Sequence, residues 1–223
     1  MHVELQHAHD WNVSPDEAKQ IQRRLASEVR ETPLPDTVET IAGVDVSVRD
    51  DTAQAAIAVL QRGGRTVVDR AVHRCEVPFP YVPGLLSFRE MPAVLPALDQ
   101  LDGAPDVFVT DSHGLAHPRR FGLACHLGVL LDVPTIGVAK SILVGEPRGE
   151  LGTEKGSRVP LVDDGETVGT VLRTRTDVNP VYVSVGHRCT LDGAADLMLD
   201  CSPTYKIPEP TRQAHKLSRQ AEA

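Results

Sequence analysis

Apolar and polar positions along the chain divide it into strands and helices in a definite order. Ser14-Pro15-Asp16-Glu17 carries the pattern of a capping box with proline at the first helical position, and predicts a helix running to about Val29. Apolar runs rich in β-branched residues near 39–48, 54–61 and 66–75 read as strands. Gly63-Gly64 supplies a hairpin turn between the last two, so the three form an antiparallel meander. A helix is expected near 86–99, broken or offset by Pro92 and Pro96. A strand at 106–110, a helix at 119–131 and a strand at 135–139 make a parallel strand–helix–strand unit. An antiparallel pair near 159–162 and 167–173, a strand at 181–185, and helices near 190–200 and 209–221 complete the chain. The order predicts an α/β fold: a mixed sheet that opens with a three-stranded antiparallel meander, continues with parallel strands and is flanked by helices. No repeat, low-complexity tract or linker interrupts it, so residues 1–223 are expected to form a single domain, with the Gly-rich segment 145–156 as its mobile loop.

Composition sharpens this picture. The chain is 41% hydrophobic but only 4% aromatic, so its core must be aliphatic and each aromatic position is informative. Cys75, Cys125, Cys189 and Cys201 show no C-x-x-C spacing, which suits reduced thiols in a cytoplasmic protein better than a disulfide frame or zinc site. No apolar run approaches the roughly 20 residues of a membrane span. Met1 to Gln6 lacks the charged and apolar regions of a signal peptide. A net charge of −8 argues at first sight against a nucleic-acid partner, which usually meets a basic footprint. Two points soften this. Metal ions held by acids bring positive charge to a phosphate. The bases are also unevenly placed: Lys140 ends a strand, and Lys206, Arg212, Lys216 and Arg219 collect near the C-terminus. Arg119 and Arg120 follow Pro118 at the expected start of a helix, where cations oppose the helix dipole; that conflict favours a phosphate contact.

Candidate chemistry concentrates in Val77-Pro78-Phe79-Pro80-Tyr81-Val82-Pro83-Gly84-Leu85-Leu86-Ser87-Phe88-Arg89-Glu90. Prolines fix φ near −65° and remove backbone donors, so Tyr81 sits on a stiff tip that can join neither a helix nor a sheet interior. Glu90 follows one turn into a helix. The plainer alternative is a proline-rich turn with Tyr81 in the core and Glu90 solvated. Two further acids weigh against it. Asp45 lies inside the apolar run Thr40 to Val48, where an acid is costly unless paired or bound to metal. Asp111 ends a strand beside Ser112-His113-Gly114, the place where open α/β sheets put their sites. Either aspartate taken singly reads as a turn or cap residue. Together, Asp45, Glu90 and Asp111 are the carboxylate set that a hard ion such as Mg²⁺ takes alongside water and phosphate oxygens. Asp50-Asp51 and Asp163-Asp164 read as solvated turns, and Asp200 as structural. Lys140 lies outside any phosphate-loop spacing and alone reads as a surface lysine; a lone helical His215 reads as structural. His113 and His187 have no evident role.

At these residues the chain resembles the endonuclease V family. The similarity is carried by Gly43-Val44-Asp45, Pro80 through Glu90, Asp111 through Gly114-Leu115-Ala116-His117-Pro118-Arg119, Gly137-Val138-Ala139-Lys140-Ser141, and Pro208 through His215. These segments run in the family's order and cover about 37–217. The resemblance implies a ribonuclease-H-like fold and a Mg²⁺-dependent enzyme, with Mn²⁺ able to substitute. Its reaction hydrolyses the second phosphodiester 3′ to a deaminated adenine (inosine) and leaves 3′-hydroxyl and 5′-phosphate ends. It implies metal ligation by Asp45, Glu90 and Asp111, Lys140 at the scissile phosphate, and His215 beside the metals. It further implies a wedge of Pro80, Tyr81, Val82 and Pro83, and a base pocket around Gly84, Leu85, Ser112, Gly114 and His117. The partner implied is DNA, or RNA, containing inosine, bound by a cytoplasmic monomer with neither membrane nor nucleotide cofactor. Where the family has Gly and often Gln after the third acid, this chain has Ser112 and His113, which bears on the base pocket. Two other classes stay open: a nucleic-acid-binding protein without catalysis, which needs no acid set, and an ATP-dependent enzyme of the actin and sugar-kinase fold. The latter also begins with Gly-x-Asp but needs a second glycine-rich phosphate loop, which the sequence lacks.

Overall fold

The computed structural model describes residues 4–63 and 66–220. Gly63 takes a left-handed conformation at φ +74, while Gly64, the other half of the expected hairpin turn, lies outside the described residues. The capping box forms: Ser14 Oγ accepts from Glu17 N–H, and the Glu17 carboxylate accepts from Ser14 N–H at 2.8 Å. It starts α1 (Pro15–Leu25), which tightens into a 3₁₀ turn over Ala26–Glu28 instead of continuing as α-helix.

The meander is β1 (Thr40–Arg49), β2 (Thr52–Gln61) and β3 (Val67–Glu76), antiparallel throughout. α2 (Leu86–Leu98) leads to β4 (Val107–Thr110), then α3 (Leu123–Leu131) and β5 (Thr135–Ala139). β4 lies parallel to β1, and β5 parallel to β4. The chain continues through β6 (Glu146–Pro147), β7 (Arg158–Asp163), β8 (Glu166–Leu172), β9 (Val181–His187), α4 (Leu191–Asp200) and α5 (Glu209–Ser218). One sheet results, in the order β3-β2-β1-β4-β5-β9-β8-β7-β6.

Strand alternation sends the central strands' side chains to two cores. Ala42, Val44 and Phe108 pack with Met91, Val94 and Leu98 of α2 and Leu127 of α3. Ile41, Val107, Val109 and Ile136 pack on the other face with Ala194 and Met198 of α4. Both faces of β4 are therefore buried, which explains its unbroken apolar run.

Three local expectations fail. α2 runs unbroken through Pro92 and Pro96, its buried stripe of Phe88, Met91, Val94 and Leu98 outweighing the lost backbone bonds. α3 starts at Leu123, not 119; Pro118 does not open a helix, and Arg120 stands at φ +52. The segment expected as a mobile loop contains β6, which pairs with β7 through Glu146 and Pro147. All four cysteines are free, and among the described residues no helix is long and apolar enough to cross a membrane.

Candidate active site

Parallel pairing of β1 with β4 brings two of the acids together. Val44 pairs with Thr110, so Asp45 and Asp111 occupy the next positions on adjacent strands, and Asp111 N–H donates to Val44 O at 3.3 Å. Asp45 points to the same face as Ile41 and Gly43, where α5 lies. α5 comes that close because position 43 is glycine; a Cβ there would stand 2.1 Å from the Pro210 carbonyl. The helix thereby delivers His215, whose Nδ1 is 3.2 Å from Asp45 Oδ2, and Ser218, whose hydroxyl donates to the same oxygen. These partners make tolerable a carboxylate that is only 8% exposed. One ligand atom from each of Asp45, Asp111 and His215 lies within 4.8 Å of the others. Lys140, directly after β5, donates to Asp111 Oδ2.

Glu90 stands outside this group. α2, which carries it, packs on the opposite face of the sheet, against Ala42 and Val44. It still senses the pair: burial, reinforced by the charges of Asp45 and Asp111, pushes its pKa up to about 8. The geometry thus joins two aspartates with His215, and the Glu90 carboxyl lies near enough to feel the charges of both aspartates. The donor chemistry fits a divalent cation. Two hard carboxylates and an imidazole converge, and a further carboxyl has its pKa raised by burial and then by negative neighbours, whose charge a cation would offset.

Beside the acids stands the proline-flanked tip. Tyr81 is 72% exposed, between exposed Pro80 and Pro83, while Phe79 and Leu85 anchor the tip in the core. A pocket of about 140 Å³ opens next to it, lined by Tyr81, Gly84, Ser87, Ser112, His113 and Leu123 among others. Several of its polar groups are already engaged. Ser112 Oγ shares a hydrogen bond with Thr110 Oγ1 at 2.6 Å. His113 Nε2–H donates to Ser141 O at 3.0 Å, and burial holds that ring below its ordinary pKa. His117 is brought to about 4 by burial and then by the Arg119 charge. Its Nδ1 accepts from Arg119 N–H, so Nε2–H donates to Gly84 O at 3.0 Å. Gly114 N–H goes to Ser184 Oγ at 2.8 Å and Leu85 N–H to Val82 O at 2.9 Å. The amides of Gly84, Ser112 and His113 have no partner among the described residues.

A family model described as Endonuclease V matches residues 23–216. The chain belongs to the endonuclease V family. An endonuclease V of Gloeobacter violaceus is 50% identical over 214 residues, covering 94% of this chain and 87% of the relative. The crystal structure of endonuclease V from Streptomyces avermitilis superposes with a TM-score of 0.90 at 46% identity, covering 94% of this chain and 93% of that one. Endonuclease V of Ciona intestinalis, in complex with a 24mer DNA containing an inosine followed by a ribo-adenosine, superposes at 0.78 and 27% identity, covering 92% and 95%. The endonuclease V fold is ribonuclease-H-like, and this nine-stranded sheet with its flanking helices has that form.

Within this endonuclease V site, two expectations need correcting. Arg120 is not poised for phosphate at a helix start; it bridges Asp163 at 2.8 Å and Glu166 at 3.0 Å, so Asp163 is not a solvated turn acid either. Arg119 turns inward, donating to Gln22 Oε1 and Gly84 O. Sequence reasoning also missed a buried relay, in which His126 joins Ser87 Oγ at 2.9 Å and His9 Nε2 at 2.7 Å. Burial keeps His126 well below its ordinary pKa. A histidine inside the apolar stretch Leu123–Leu131 was the available signal.

Proposed function

We propose that the chain is a divalent-metal-dependent endonuclease that recognises inosine in a DNA strand. It hydrolyses the second phosphodiester 3′ to the lesion, leaves 3′-hydroxyl and 5′-phosphate ends, and works as a cytoplasmic monomer. The observation that carries this reading is the adjacency of two devices: the Asp45, Asp111 and His215 locus with Lys140 and Glu90, and the exposed Tyr81 tip above its pocket. DNA containing an inosine is what the Ciona intestinalis relative holds, and the ribo-adenosine in that strand favours testing RNA beside DNA.

Asp45, Asp111 and Glu90 would hold Mg²⁺, with Mn²⁺ able to replace it; once bound, the ion supplies Lewis-acid charge at the phosphate and an acidified water. Lys140, kept in place by Asp111, adds positive charge where the phosphate oxygens gain negative charge. His215, steadied through Asp45, keeps its second ring nitrogen for a water or for the departing 3′ oxygen. Pro80, Tyr81, Val82 and Pro83 wedge into the base stack, which costs a few kcal/mol per unstacked step. The freed lesion turns into the pocket. Hypoxanthine presents O6 and N1–H where adenine presents an amino group and a bare N1. The open amides of Gly84, Ser112 and His113 are donors suited to O6; facing adenine's amino group they would stay unpaired, which is the basis of rejection.

The test incubates the protein with inosine and matched adenine oligonucleotides, with Mg²⁺ or with chelator, while ATP turnover is followed. Inosine-dependent, metal-dependent cleavage without ATP hydrolysis is expected. Binding without cleavage would favour a recognition protein, and ATP turnover a kinase-like enzyme.

A further inference from the structure

We propose that Gln22, on α1 and one residue before the segment matched by the family model, is a positioning residue for the Tyr81 tip. The proposal rests on the function proposed above and adds a part to it. Gly84, the last residue of the tip, presents one carbonyl to three donors: Gln22 Nε2 at 3.0 Å, His117 Nε2 at 3.0 Å and Arg119 Nη2 at 2.7 Å. Gln22 does more than donate once. Its Nε2 also reaches Phe121 O at 3.2 Å, and its Oε1 accepts from Arg119 Nε at 2.6 Å. Both amide hydrogens and the side-chain carbonyl are thus used, in a side chain that is 1% exposed. One glutamine ties α1, the tip and the turn before α3 into a single body.

The site of this tie is mechanically apt. Prolines stiffen the tip internally, but a stiff tip transmits force only if its base does not pivot. Gly84 is that base. It lies at φ +77, and a Cβ there would stand 2.7 Å from Arg119 Nη2, so glycine serves both the turn and the approach of the guanidinium. Gln22 fills the inner side of the clamp. With it gone, Phe121 O and Arg119 Nε lose their partner and Gly84 O keeps only the two donors from the turn after β4. The tip can then yield instead of separating bases, a loss greatest where bases are stacked, while the share of Gln22 and Gly84 in lining the pocket is felt in KM on either strand.

Gln22→Met keeps length and apolar bulk while removing every one of these hydrogen bonds. Its Mg²⁺-dependent cleavage is compared on inosine in duplex and in single strand, alone and combined with Tyr81→Ala. The expected result is a fall of about tenfold or more in kcat/KM on the duplex, with single-strand kcat held within roughly twofold. No further duplex loss is expected when Gln22→Met is added to Tyr81→Ala, since both act through the same wedge. Equal losses on duplex and single strand, additive losses in the double variant, or no duplex loss would each overturn the proposal. If thermal melting shows that Gln22→Met does not fold, Gln22→Glu serves in the same comparison; it retains an acceptor for Arg119 and sets a carboxylate against the Gly84 carbonyl. Wild-type protein that fails to cut inosine at all would instead overturn the proposed function, so the two failures are distinct.

Discussion

Glu90 shows most plainly what a single residue contributes. Its carboxyl is held near a pKa of about 8, against an ordinary 4.5, by burial and by Asp45 and Asp111. The folded protein therefore binds a proton that the unfolded chain has released, and the stability from this group is fully present below about 4.5 and is lost as pH rises through 8. His117 works in the opposite sense: brought to about 4, it makes stability rise as pH climbs from 4 through 6.5. His9, His113, His126 and His187 are likewise held below their ordinary pKa by burial and act with His117, so the Glu90 contribution is read as the difference between wild type and Glu90→Gln from 6.5 to 8. Across that range this carboxyl should remove up to about 1.4 kcal/mol of stability per pH unit from the metal-free protein, relative to Glu90→Gln. Glu90→Gln should flatten that slope, and metal affinity should rise with pH because the ion must displace the proton. Thermal melts in chelator and in Mg²⁺ measure both, and identical pH profiles of wild type and Glu90→Gln in chelator would contradict the account. The acids also predict mutant behaviour. Asp45→Asn, Glu90→Gln and Asp111→Asn should each remove most cleavage and leave a cooperative melt, because like charges are relieved; near-normal Mg²⁺-dependent cleavage by either aspartate variant would refute the site. In the pocket, the Ser112 hydroxyl and the His113 ring are already paired internally. Ser112→Gly and His113→Ala should therefore preserve the inosine-over-adenine cleavage ratio. A fall of about tenfold, the size of one lost buried hydrogen bond, would show that a side chain reads the base.

Among the elements, the tip and α5 position the chemistry. Tyr81→Ala should weaken cleavage of an inosine duplex more than that of a single strand, where no stacked base must be displaced; an equal loss on both would contradict a wedge role for Tyr81. α5 was legible as a helix, and the family resemblance put His215 beside the metals, but no local pattern shows how it gets there. Only the close contact at Gly43, distant in sequence, explains how His215 comes to lie beside Asp45. The start of α3 misled for a related reason. Pro118-Arg119-Arg120 has the local form of a helix N-terminus, yet Arg120 is drawn away by Asp163 and Glu166 of the β7–β8 hairpin, partners that no local pattern reveals. β6 escaped because two exposed residues carry no alternation. Gln22 left a readable sign: it shares the buried face of α1 with Ala18 and Leu25, a polar residue in an apolar stripe.

For the molecule as a whole, hydrophobic periodicity recovered the meander, the parallel unit and the antiparallel pair, because buried strands leave continuous or alternating apolar runs. The convergence of Asp45 and Asp111 follows from that topology, since β1 and β4 are parallel neighbours. What periodicity could not give is the distance of each donor from the others, which groups His215 with Asp45 and Asp111. The net charge of −8 is reconciled with a nucleic-acid substrate through the acids themselves, which contribute part of that charge and would carry metal in use. The most direct test of the central claim maps the product ends from an end-labelled strand with one inosine, in Mg²⁺, for the wild type and Asp111→Asn. A single cut at the second phosphodiester 3′ to the inosine, leaving a 5′-phosphate and nearly absent in the variant, is predicted. Cuts unrelated to the inosine, or the same cut undiminished in Asp111→Asn, would contradict it.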